Sequence, residues 1–292
     1  MTNDTPLEAL FERLDTLIAQ LERLLPGESA DPASAIASGE ALRFTREGAR
    51  RALQPVRHPH AIALDDLHGI DRQKQELLRN TRQFLAGRPA NNALLSGARG
   101  TGKSSLVKAV WNEFRAAGLR LIEIAKDDLD ALPALLDALH GRPERIVIFV
   151  DDLSFDANEA DYKSLKAMLD GSIAVPPDNV LLYATSNRRH LLPEYQRDNA
   201  DSHLVDGEIH HGEAVEEKIS LSERFGLWLS FPPAGQKLYL EIVRHWLEKL
   251  APQLQFDNAA EQAALRFALA RGGRSGRIAW QFARDYAGRL PT

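Results

Sequence analysis

The chain contains no cysteine. Disulfides, thiol nucleophiles and cysteine-ligated zinc are therefore excluded, and the composition suits a reducing interior. No apolar run approaches the length of a membrane span. Positive charge is not in excess either: 36 Lys and Arg stand against 41 Asp and Glu, a net charge of −5. That removes any bulk attraction to nucleic acid and leaves only a local basic face for such contact. The first residues carry Asp4, Glu8 and Glu12 where a secretory leader would carry a basic region before an apolar core. A cytoplasmic location is the expectation. No internal repeat is evident.

What remains is an ordinary globular balance, 44% hydrophobic and 26% charged over 292 residues, enough for about two domains. The stretch that organises it is Gly97-Ala98-Arg99-Gly100-Thr101-Gly102-Lys103-Ser104, which reads G-x-x-x-x-G-K-S. A short apolar run, Ala93-Leu94-Leu95, precedes it and a helical pattern from Ser104 and Ser105 to Trp111 follows. Strand, glycine bend and helix start together make a phosphate-binding loop. Glycines let successive N–H groups turn toward phosphate oxygens, and the helix adds its own unpaired N–H groups and dipole. Lys103 would reach the β- and γ-phosphates, and the Ser104 hydroxyl would hold Mg²⁺. ATP and Mg²⁺ are the expected ligands.

Around this loop the pattern alternates. Residues 119–124, 145–150 and 180–185 read as buried strands, with helices over 72–85, 129–139 and 162–169. Pro133 must lie in the first turn of its helix. Such alternation indicates an α/β fold, a parallel sheet flanked by helices. Asp71 is the expected N-cap of the 72–85 helix, and Asn258 with Glu261 a capping box further on. Residues 194–212 read as a long polar loop, whose His203, His210 and His211 lack the spacing of a metal site. A helix over 214–225 and a strand over 227–231 precede Pro232-Pro233. The remainder is helical, with Tyr239, Ile242, Val243, Trp246, Leu247 and Leu250 on one face. The expected division is an N-terminal helical extension over 1–60, a phosphate-loop α/β domain over 61–232 and a C-terminal helical lid over 233–292.

The N-terminal extension rests on two helices. Residues 5–25 place Leu7, Leu10, Phe11, Leu14, Leu17, Ile18, Leu21, Leu24 and Leu25 on one stripe. That stripe must be covered by the chain's own body, a second copy or another protein. The spacing predicts a second helix over 40–53, with Gly48 a weak point and a basic patch of Arg43, Arg46, Arg50 and Arg51.

Hydrolysis needs a metal ligand, a base for water and charge stabilisation. Asp151 ends the apolar strand Val147-Ile148-Phe149-Val150, which would put it beside the phosphate loop to hold Mg²⁺ through water. Asp152 follows and would polarise the attacking water. Asn187 ends the next strand and would position that water. Arg224 follows a helical stretch and would act on a neighbouring subunit's nucleotide. Arg277 opens the last helix, where a cation opposes the dipole unless an anion is near; Arg274 competes for that part.

The order of these parts resembles the AAA+ ATPase superfamily: GARGTGKS, IVIFVDD, Ala184-Thr185-Ser186-Asn187, Ser222-Glu223-Arg224-Phe225 and Ser275-Gly276-Arg277. More closely, Gly69-Ile70-Asp71-Arg72-Gln73-Lys74, Asp151-Asp152-Leu153-Ser154-Phe155 and residues 216–227 resemble a bacterial family of predicted AAA+ ATPases with no assigned function. The resemblance implies a P-loop parallel sheet flanked by helices with a C-terminal helical lid, and it implies that residues 67–70, with Gly69 and Ile70, lie by the adenine. It implies a homo-oligomer in which ATP hydrolysis remodels a partner, with Arg224 acting in trans and Arg277 in cis. The departure is Asp152, where Glu is usual. Two further readings stay open: a non-hydrolysing nucleotide switch that presents the N-terminal helix to a protein partner, and a DNA-associated ATPase of the helicase-loader kind.

Overall fold

A computed structural model describes residues 35–37, 39–47, 50–153, 165, 169, 177–187, 203–205, 208–210 and 224–289. The amphipathic stretch over 5–25 lies outside these residues, as does nearly all of the helices expected over 162–169 and 214–225.

The core is a seven-stranded sheet in the order β2-β1-β4-β5-β6-β3-β9. Its strands are β1 (Ala41–Glu47), β2 (Arg50–Pro55), β3 (Ala93–Gly97), β4 (Leu119–Ile124), β5 (Arg145–Val150), β6 (Val180–Ser186) and β9 (Leu227–Phe231). All neighbours pair in parallel except β1 and β2, which form an antiparallel hairpin. The helix expected over 40–53 is therefore a hairpin. Leu42 and Phe44 face one core cluster while Arg43 between them stays exposed, a period of two that a helix cannot use. The last pair of the hairpin is Glu47 with Arg50. The hairpin joins β4 through β1, so residues assigned to an N-terminal extension share the sheet. Two arginines of the supposed basic patch meet acids there: Arg43 Nη2 lies 3.0 Å from Glu123, and Arg46 4.0 Å from Asp130.

Helices α1 (Asp71–Leu85) and α2 (Lys103–Phe114) cover one face of the sheet, and α3 (Leu132–Leu139) the other. Alternate residues of each strand feed the two layers: Leu94, Ile148 and Leu182 on the α3 side, Leu95, Phe149 and Tyr183 on the α1–α2 side. Burying each such side chain contributes about 1.5–3 kcal/mol. Pro133 sits in the first turn of α3, as its missing N–H requires. Asp71 is not an N-cap; α1 starts on it, and its carboxylate faces the positive end of the dipole instead. The buried Tyr183 hydroxyl ties α1 to β6 through Thr81 Oγ1 at 2.8 Å and Asn80 Nδ2 at 3.1 Å, and burial pushes its pKa up to about 12.

The polar stretch expected as a loop contains a small antiparallel hairpin, β7 (His203–Val205) with β8 (Glu208–His210). After β9 come the lid helices α4 (Gln236–Leu250), α5 (Asn258–Ala270) and α6 (Gly276–Gly288), packed on a core of their own. The cap of α5 is Asp257, whose carboxylate accepts the Ala260 amide at 2.9 Å, in place of the expected Asn258–Glu261 pair. No described helix is long and apolar enough to cross a membrane.

Candidate active site

Strand β3 runs into α2 through the glycine bend. Gly102, the N-cap of α2, has φ 99°, a left-handed conformation that glycine enters without strain. No side chain caps α2, so its first-turn N–H groups are left for a ligand. Gly100 has φ 77°, and a Cβ there would stand 2.7 Å from Ser275 Oγ. The bend and the lid meet at this point, with the Gly276 amide donating to the Gly100 carbonyl at 3.0 Å. Gly100→Ala is expected to destabilise the protein by about 1–2 kcal/mol, read by thermal melting, and to weaken nucleotide binding. A variant that melts and binds as wild type would show that the contact yields freely.

Lys103 is buried. Its Nζ donates to Gly97 O at 2.7 Å, Ala98 O at 2.8 Å and Asn187 Oδ1 at 2.9 Å. Burial holds its pKa below the ordinary lysine value; Asp152 and Asp151 pull it up, while Arg277 and Arg99 push it down. Three cations thus converge where an anion would relieve them.

The acids stand opposite. β6 lies between β3 and β5, so Asp151 is not on the strand next to the phosphate loop. It reaches the loop nonetheless: its Oδ1 accepts from Ser104 Oγ at 2.5 Å and from Thr185 Oγ1 at 2.6 Å. The Asp152 carboxylate accepts from Asn187 Nδ2. Its φ of 55° is left-handed, and it alone among the described residues other than glycine has a positive φ. Asp and Asn tolerate that region far better than Glu. The shorter acid at this position is thereby tied to the backbone that carries it.

These groups line a cleft of about 1010 Å³ between the sheet and the lid. Arg99, Gly100, Thr101, Gly102, Lys103, Ser104 and Ser105 form one end with Asp151, Asp152 and Asn187. Gly97 and Ala98 supply the carbonyls under Lys103. Gly69 and Ile70 line the same cleft, as do Leu238 and Ile242 of α4. Arg277 enters it from α6, whereas Arg274 points to Gln236 Oε1 at 3.4 Å. Arg224, half-buried in the turn before β9, is not among the residues lining the cleft.

Several lining residues were not legible as site residues. Trp246 and Trp280 meet edge to face at 4.5 Å, and Lys249 lies over Trp246 at 5.5 Å. Asp66 fastens the lid to the sheet domain, accepting from His245 Nε2 at 2.9 Å and from Lys249. Burial works to raise its pKa, but the bonds from Lys249, His245 and the Ala63 amide prevail and hold it below the usual carboxylate range. Thr185 lies on β6 two residues before Asn187, which directly follows the last strand residue, Ser186. Among the described residues no cluster of three or more His, Asp or Glu could hold a metal by itself.

A family model described as protein of unknown function, DUF815, matches residues 37–290. The chain belongs to this family. The match takes in the β1–β2 hairpin, the sheet and the lid of the DUF815 chain together. Proteasome-activating nucleotidase 2 of Haloferax volcanii is 28% identical over 153 residues, 48% of this chain and 37% of that protein, so the chain spans well under half of that relative. Among solved structures, the FIGL-1 AAA domain in complex with ADP superposes with a TM-score of 0.53 at 19% identity, covering 90% of this chain and 80% of that one. The Aeropyrum pernix ORC1 protein, in complex with DNA, gives a TM-score of 0.53 at 17% identity, covering 75% and 59%. A point mutant of Thermotoga maritima RuvB gives 0.51 at 20% identity, covering 76% of this chain and 64% of that one. These likenesses show the fold alone: the DUF815 chain folds as a P-loop α/β sheet with a helical lid, like those AAA+ structures.

Proposed function

We propose that this protein binds ATP with Mg²⁺ in the cleft between sheet and lid and hydrolyses it. The observation that carries the reading is the joining of Lys103, Asn187 and Asp152 in one hydrogen-bonded line beside the Ser104–Asp151 pair. Phosphate fits the cradle, because uncapped helix amides, a buried lysine and two arginines converge on it. A divalent cation fits the hydroxyl–carboxylate pair, whose donors are all oxygen. When bound, the metal supplies positive charge against the phosphates. Lys103 and the α2 amides hold phosphate oxygens, while Ser104 and Asp151 would hold the metal. Asp152 takes a proton from the attacking water, and Asn187 orients that water. Arg277 steadies the phosphates from the lid, and lid movement transmits the event to a partner or a second copy. Arg224 is not among the residues that line the cleft of its own chain, and its part in this reading is to complete a neighbour's in a homo-oligomer.

One observation favours a second reading, a slow or non-hydrolysing switch: the Asp152 carboxylate is already engaged by Asn187. A steady-state assay of phosphate release across protein concentration separates the two. Turnover that rises as oligomers form supports the ATPase; measurable ATP binding with no turnover at any concentration supports the switch.

A further inference from the structure

Thr185 is 1% exposed and lies at the cleft end of β6, beside the end of β5. Its hydroxyl has two partners. It gives its hydrogen to Asp151 Oδ1 at 2.6 Å and accepts the Asp152 amide at 2.9 Å. The Thr185 carbonyl accepts the Leu153 amide at 2.7 Å. Three consecutive residues of the acidic turn are thus fastened to this one threonine.

The two hydroxyl bonds do different things. Ser104 and Thr185 both donate to the same oxygen of Asp151, Oδ1. The carboxylate is fixed in rotation, and neither of these bonds draws on its Oδ2. The second bond satisfies an amide that the left-handed turn at Asp152 removes from strand pairing. Without an acceptor there, the turn that aims the Asp152 side chain at Asn187 loses its anchor. A β-branched side chain suits the task, because its χ1 is restricted and the hydroxyl is held in place.

We propose that Thr185 is the positioning residue for both acids: its hydrogen sets the Asp151 carboxylate for the metal, and its lone pair holds the Asp152 turn. The proposal rests on the ATP and Mg²⁺ reading above. Its test is calorimetry of the full chain with a slowly hydrolysed ATP analogue, titrated at fixed Mg²⁺ concentrations and in EDTA. Wild type and Lys103→Ala come first. If wild type binds no nucleotide with or without Mg²⁺, the earlier reading fails and Thr185 has no role to hold.

Given wild-type binding, Thr185→Val removes the hydroxyl at nearly constant volume. Binding in EDTA should stay within about twofold of wild type, since the phosphate cradle is untouched. The Mg²⁺ concentration needed for half of the tight binding should rise about tenfold. Thr185→Ser keeps the hydroxyl and should return that concentration to within about threefold of wild type. A Val variant with the wild-type Mg²⁺ requirement overturns the proposal. So does a folded Ser variant as impaired as Val, because the methyl group and not the hydroxyl would then matter. If Val does not fold, the Ser variant decides alone: a requirement near wild type upholds the assignment, and a tenfold rise overturns it.

Discussion

Lys103→Ala is expected to lower ATP affinity by at least about 100-fold, a change of about 2.8 kcal/mol. The magnitude follows from what the ammonium does. It is 5% exposed, and its three hydrogens are matched by Gly97 O, Ala98 O and Asn187 Oδ1. A bound phosphate would replace a neutral acceptor with a charged one, and a charge-assisted bond contributes about 1.5–3 kcal/mol. Loss of the cation also leaves only Arg99 and Arg277 to offset Asp151 and Asp152 at the phosphate end of the cleft, so the added anion meets much weaker attraction. The loop itself should loosen, because two of its carbonyls lose their donor. Lys103→Met, which keeps the apolar stem, separates the two effects. If the Met variant melts like wild type yet binds ATP with wild-type heat, Lys103 is a structural lysine and the cleft is not a triphosphate site.

The extent to which this site was legible follows from its chemistry. The phosphate loop is local: eight consecutive residues carry both bend and cation, and the structure puts Lys103, Ser104, Gly100 and Gly102 along one end of the cleft. Asp151, Asp152 and Asn187 come from strand ends, and a buried apolar run followed by a polar residue marks such ends whatever the strand order. Strand order itself was not legible; β6 stands between β5 and β3, and the resulting reach from Asp151 to Ser104 depends on how helix α2 starts. The β1–β2 hairpin was read as a helix because residues 40–53 carry only Leu42, Phe44 and Leu53 as large apolar positions, too few to fix a period. What decided it was pairing with β4, a contact about 80 residues away that no local pattern contains. The Asp66–His245–Lys249 contact was hidden for the same reason, its partners lying on separate domains. Trp246 was assigned to the lid core by its spacing, and in the structure it also faces the cleft, since one helix side serves both.

Asp152→Asn is expected to retain ATP binding within about twofold and to cut turnover by about 10²–10⁴, the usual contribution of a positioned acid or base. The substitution is well matched to its site. Asn tolerates φ near 55° at least as well as Asp, so the backbone is undisturbed. Its side-chain carbonyl oxygen can still accept from Asn187 Nδ2, and its backbone N–H can still donate to Thr185 Oγ1. Only the charge and the proton-accepting capacity are lost. Asp152→Glu makes the complementary test, since it restores the longer acid that such sites usually carry. In this chain the longer side chain must occupy a left-handed residue, at a cost of about 1–2 kcal/mol, and must leave Asn187 where it is. Turnover should therefore fall below wild type, by about tenfold, rather than rise. Single-turnover phosphate release at saturating ATP reads both variants. A Glu variant faster than wild type would mean that reach, and not backbone conformation, limits the acid; an Asn variant with full turnover would remove Asp152 from the chemistry altogether.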